Sequence, residues 1–169
     1  ANIMFVWVVV EEVLKYAVAL AIVFWNKEVN EPIDMVIYMI VLALGFSALE
    51  NALFIFNPLV TGEYLSSVLT GGFRFLGATL LHVLASGTVG VFLALAYYRS
   101  KVSQVLAGTF GLFIAIMLHA LFNFFIMDVS GETILAVFLF VWMGIILLFL
   151  LFEKIKLLER NHKLNNKLL

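Results

Sequence analysis

The chain has 169 residues, 64% of them hydrophobic and only 12% charged, with a mean hydropathy of +1.14. Soluble domains run about 45–50% apolar and about 25% charged, so a soluble fold is excluded, and the length suits a single domain. A net charge of −1 argues against a nucleic-acid partner, and the lack of cysteine removes disulfides and thiolate metal sites.

Five apolar stretches follow in chain order, each near or above the roughly 20 residues that cross about 30 Å of hydrocarbon. The first, Ile3–Trp25, is too long for a signal peptide and has no basic flank before it. Position 1 is Ala, so the natural chain is expected to start earlier, with room for further helices. Asn30-Glu31-Pro32 precedes the second stretch, Ile33–Phe56, and Asn57-Pro58 is expected to end it. The mixed segment Pro58–Gly72 reads as an interfacial or loop element, such as a lid. Arg99-Ser100-Lys101 separates the third stretch, Phe73–Tyr98, from the fourth, Val102–Met127. Asp128-Val129-Ser130-Gly131 then leads to the fifth, Thr133–Phe152, and residues 153–169 read as a solvated helical tail. Strands are not expected, since an open sheet edge cannot be satisfied in lipid and no alternating ten-residue pattern occurs. The expected fold is an all-α, polytopic membrane helix bundle of about five transmembrane helices over residues 1–152.

Basic residues orient this bundle. Lys27 lies in the first loop, Arg99 and Lys101 in the third, and Lys154, Lys156, Arg160, Lys163 and Lys167 in the tail. An odd number of crossings puts these segments on one side, which the positive-inside rule makes cytoplasmic, with residue 1 facing outward. The other two cations, Lys15 and Arg74, fall inside expected helices. Arg74 lies near an outer helix end, where snorkelling and substrate contact are both open to it.

An ionisable group at mid-bilayer costs roughly 2.5–3.5 kcal/mol on insertion scales, so such groups are kept for function or paired. Helix one carries Glu11, Glu12 and Lys15; helix two, Glu50 and Asn51; helix three, His82; helix four, His119 and Asn123. At 1.5 Å rise per residue, Glu11, Glu50, His82 and His119 lie about 12, 9, 14 and 12 Å below the outer ends of their helices. Four antiparallel helices thus place polar groups in one slab of the outer half, as bundle sites are built. Lys15 is within reach of both Glu11 (i,i+4) and Glu12 (i,i+3). His82, Ser86 and Gly90 recur every four residues, a small-residue stripe on which another helix can approach closely.

Two His and a Glu are a zinc set, because catalytic zinc keeps three N or O ligands and one open water position. Glu50, His82 and His119 are the expected ligands, and Glu11 or Glu12 is free to take a proton from the bound water. Asn123, one turn from His119, is expected to orient a metal-bound His. His162, in the polar tail, is expected to be solvated.

Glu11-Glu12-Val13-Leu14-Lys15 resembles the EExxK motif of PrsW-type intramembrane proteases, and Phe46-Ser47-Ala48-Leu49-Glu50-Asn51 their FxxxEN motif. His82 with its trailing small residues resembles the third motif, and His119-Ala120-Leu121-Phe122-Asn123 the HxxxD or HxxxN motif. The likeness runs from residue 11 to 127, in order. It implies a membrane-embedded endopeptidase that in bacteria cuts a membrane-anchored anti-sigma factor on its extracytoplasmic side, within a prokaryotic plasma membrane. It also implies Glu11 as the water-activating base and Glu12 as its support, an order that spacing alone leaves open. Glu50 follows the PrsW branch, where CAAX prenyl proteases have His; Asn123 departs from the Asp common in PrsW members. Two rival functions share these residues: a proton- or ion-coupled transporter, and a noncatalytic membrane scaffold or chaperone.

Overall fold

The computed structural model describes residues 2–23, 29–126 and 132–167. Among them are α1 (Asn2–Val18), α2 (Pro32–Val60), α3 (Tyr64–Arg74), α4 (Leu80–Leu95), α5 (Lys101–Ile126) and α6 (Glu132–Lys167), and no strand. Two π-helical turns interrupt the α geometry: Ala19–Val23 prolongs α1, and Phe75–Thr79 joins α3 to α4. Four stretches are long and apolar enough to cross a bilayer, namely Pro32–Val60, Phe75–Leu95, Lys101–Ile126 and Leu135–Asn166. Counted with its π turn, α1 adds a fifth rod of about 30 Å. The protein is an all-α, multi-pass integral membrane bundle.

The axis is α4. Two thirds of its span (67%) is buried, against 22–28% for the other three. Small residues make this possible, since Ala85, Ser86, Gly87, Gly90 and Ala94 let neighbours approach closely. α2, α5 and α6 surround α4, while α1 packs chiefly on α5. One apolar cluster joins Leu81 and Leu84 of α4 to Phe122 of α5 and Val141 of α6; another joins Val36 of α2, Val91 and Ala94 of α4, and Leu148 and Ile155 of α6. The outward faces carry large exposed apolar side chains such as Leu53, Phe124 and Phe149, which suits lipid as the solvent.

Gly90 is where the stripe matters most. A Cβ there would stand 2.6 Å from the Val36 Cα and 2.8 Å from the Met35 carbonyl, both backbone atoms of α2. Neither can rotate away, so a side chain must push the two helices apart. Gly90→Val is expected to cost about 1–3 kcal/mol, read as a lower melting temperature in detergent. An unchanged melting temperature would mean that α2 and α4 do not touch at this position.

Three features differ from the sequence expectation. α2 does not stop at Asn57-Pro58 but runs to Val60 with Pro58 inside its last turn, where the ring removes the hydrogen bond that an amide would give the Phe54 carbonyl. The stop is Gly62 at φ +83°, beside which the Glu63 amide donates to the Pro58 carbonyl at 2.8 Å. The segment after it is helical from Tyr64 and packs on α2. α6 continues into the tail as a helix, as expected, but the tail is not solvated throughout, since the apolar stripe extends to Ile155, fully buried against α2 and α4.

His162, expected to be solvated, is half-buried and stacks on Tyr98 at 3.8 Å. Lys163 next to it lies 3.0 Å from Glu31 and also pairs with Glu159. That ammonium holds the Glu31 carboxyl below the usual carboxylate range, although exposure keeps the pair's contribution small. The tail, the α4–α5 turn and the start of α2 therefore meet at one end of the bundle. Trp25, Lys27 and the turn Asp128–Gly131 lie outside the described residues, as does the side chain of Arg74.

Candidate active site

Adjacent residues on a helix point about 100° apart, and α1 uses that angle to divide its two glutamates. Glu12 turns inward and is 2% exposed, whereas Glu11 turns toward a cavity and its side chain is 19% exposed. Oε1 of Glu12 accepts from Lys15 Nζ at 2.5 Å and lies 2.7 Å from His119 Nδ1 on α5. Lys15 Nζ reaches on to His82 Nδ1 on α4 at 2.9 Å, and His82 Nε2 lies 2.8 Å from Glu50 Oε2 on α2. The two imidazole rings meet edge to face at 4.9 Å.

These partners fix the protons. An ammonium only donates, so Nδ1 of His82 is the acceptor and its ring proton sits on Nε2, pointing at the Glu50 carboxylate. A carboxylate only accepts, so neutral His119 carries its proton on Nδ1. The lone pair of His119 Nε2 then faces Glu11 Oε2 at 3.8 Å. Lys15, His82 and His119 are each 3% exposed or less, so the network is sealed from water except at its two ends.

Those ends open into a cavity of about 740 Å³ lined by Glu11, Glu50, His82, His119 and Asn123. Glu11 Oε2 is buried and has no hydrogen-bond partner. One ligand atom from each of Glu11, His82 and His119 lies within 4.8 Å of the others, close to what one ion with bonds of about 2.0–2.2 Å draws together. Glu50, the third ligand expected from the sequence, is not in this group but bonds His82 Nε2 and lines the same cavity.

Two supports have contacts that the sequence did not give. Ser47 Oγ donates to Thr79 Oγ1 at 2.9 Å, and Asn51 Nδ2 donates to the same oxygen at 2.9 Å. This latch ties α2 to the π turn before α4, and so holds Glu50 against His82. The i,i+4 spacing of Ser47 and Asn51 was the available signal. Phe46 is the other support: Lys15 lies 4.9 Å over its ring, and its edge meets His82 at 5.6 Å.

Residues 1–151 match the family model described as PrsW family intramembrane metalloprotease. No curated protein and no solved structure matches the chain. The match spans all four helices that bring Glu11, Glu50, His82 and His119 together and continues into α6, so the chain belongs to the PrsW family of intramembrane metalloproteases.

Proposed function

We propose that this protein hydrolyses a peptide bond of a membrane-anchored protein near the extracytoplasmic face, with a water activated between Glu11, His82 and His119. The observation that carries this reading is the unpartnered Glu11 Oε2, aimed at the free face of His119 inside a cavity. A buried carboxylate oxygen left unpaired loses more than an ordinary hydrogen bond returns, so it is held ready for something that enters. The cavity beside the cluster also weighs against a noncatalytic scaffold, which needs only a dry, fully paired core.

One carboxylate and two imidazoles suit zinc, and Glu11, His82 and His119 would hold it. Glu12 already orients His119 from behind, as carboxylates do for metal-bound imidazoles. Zinc bound there supplies a water of lowered pKa and a Lewis acid for the scissile carbonyl. Glu50, on the same cavity wall, takes the water's proton and returns it to the leaving amine; Asn123 donates to the developing oxyanion. This exchanges the roles expected from the sequence for Glu11 and Glu50. One observation favours a second reading: both ring nitrogens of His82 are already engaged, by Lys15 and Glu50. In it Glu11 itself takes the proton, and Asn123 holds the oxyanion.

Position supports an extracytoplasmic cut. His119 lies seven residues from Ile126 but eighteen from Lys101, about 10 Å against about 27 Å. The site is therefore remote from the basic end of the bundle, which the positive-inside rule makes cytoplasmic. A membrane-anchored anti-sigma factor is the substrate that the family likeness suggests. Elemental analysis of purified protein given zinc at neutral pH, with anomalous scattering at the zinc edge, is expected to find stoichiometric zinc at Glu11, His82 and His119. A chelator is expected to remove both the ion and hydrolysis. Full hydrolysis by metal-free protein would transfer the mechanism to the second reading.

A further inference from the structure

α1 and α2 share a seam whose character changes along its length. Near the basic end it is closed: Ala19 and Ala43 are fully buried, and Met39 is 2% exposed. One turn further along, Lys15 over the Phe46 ring and the fully buried Ser47 still seal it. At the level of the site the seam carries two carboxyl groups, Glu11 and Glu50, both of which line the cavity. Beyond them stand Trp7 and Phe54, 61% and 50% exposed, and both line the cavity that holds His82 and His119. In the walls that α4 and α5 give the same cavity, Leu81 and Phe122 are 1% and 5% exposed.

We infer that the far half of the α1–α2 seam is a side port, through which an apolar, extended peptide segment passes from the lipid into the catalytic cavity between Trp7 and Phe54. The inference rests on the protease reading and names the route and form of its substrate. A membrane-spanning helix hides its carbonyls in its own hydrogen bonds, so the segment must unwind before attack. Unwinding in lipid leaves backbone groups unsatisfied at several kcal/mol each, so it must happen where polar groups wait. The port supplies both conditions in sequence. Its aromatic jambs accept apolar side chains from the bilayer, and directly behind them Glu50, His82 and Asn123 offer partners to an exposed backbone.

The chain has no cysteine, so Trp7→Cys/Phe54→Cys places two unique thiols across the port. The full-length double variant is reconstituted in liposomes with two reporters carrying one cut sequence: a single-span peptide within the bilayer and a short water-soluble quenched peptide. Each is assayed before and after bridging with a short bis-maleimide, the bridge being confirmed by mass spectrometry. Bridging is expected to abolish cleavage of the single-span reporter while the soluble peptide is still cut. Undiminished cleavage of the single-span reporter by bridged protein would overturn the port. So would loss of both reporters on bridging, which would mean that the bridge closes the site itself. Failure of the pair to bridge, although each single cysteine reacts with maleimide, would show that the two positions do not face each other. Protein that cuts neither reporter before bridging removes the protease reading, and the port with it.

Discussion

Glu11→Gln is expected to lower hydrolysis about 10²–10⁴-fold while the protein stays folded. Both halves of this expectation come from one atom. Oε2 of Glu11 makes no hydrogen bond, so replacing it by an amide removes no contact that holds the bundle together. The side chain keeps its shape and its place on the cavity wall. What it loses is the ability to bind an ion or take a proton, and each proposed mechanism needs one of these from Glu11. Zinc content separates the two: it falls with activity if Glu11 is a ligand, and stays if Glu11 is the base. The measurement is kcat/KM on an internally quenched peptide in detergent, beside a melting curve and elemental analysis. Glu12→Gln abolishing cleavage while Glu11→Gln leaves it nearly intact would reverse the roles given to the two residues.

The polar groups of the site were legible because lipid makes them expensive. Glu11, Glu12, Glu50, His82 and His119 stand out from apolar surroundings, and the rise per residue is enough to place them at one depth. Depth does not give rotation. Whether Glu11 or Glu50 faces the open side of the two imidazoles depends on how each helix is turned, and that is set by contacts distant in sequence. The latch from Ser47 and Asn51 to Thr79 and the close approach at Gly90 are two of them. Lys15 is the clearer case. Spacing offers it Glu11 or Glu12 equally, and the structure gives it Glu12 because His82 draws the ammonium to the inner side of α1.

In the fold, boundaries were the less legible part. Pro58 looked like a stop, yet α2 carries it in its last turn, and the glycine four residues later ends the helix. The end of α6 was readable in principle: Leu148, Leu151 or Phe152, and Ile155 continue one face at helical spacing into the charged tail. Charge density concealed that stripe. Tyr98 against His162 gives no sequence signal, since the two are brought together only by the packing of α6 on α4.

Glu12→Gln is expected to cost about 3–5 kcal/mol of stability, because it strands a buried charge. Lys15 is 3% exposed, and its ammonium lies 2.5 Å from the Glu12 carboxylate. A glutamine still accepts hydrogen bonds from Lys15 and His119 but no longer balances the ammonium, so the contact survives and the compensation does not. Lys15→Met alone removes the other half, leaving the carboxylate with His119 as its partner and freeing His82 Nδ1. Replacing both residues removes both charges, and a buried pair exchanged for uncharged groups of similar size is often near neutral. The double variant is therefore expected to be more stable than the sum of the single losses, with an interaction energy of about 0.5–3 kcal/mol. Equilibrium unfolding of the four proteins in one detergent measures this. Losses that simply add, within about 0.5 kcal/mol, would mean that the ammonium is balanced elsewhere and that Glu12 serves only His119. The cycle also separates stability from catalysis, because the double variant restores charge balance without restoring the hydrogen bond from Lys15 to His82. If that variant folds well yet hydrolyses poorly, the pair is needed for more than mutual neutralisation, Glu12 to orient His119 and Lys15 to set the His82 proton on Nε2, facing Glu50.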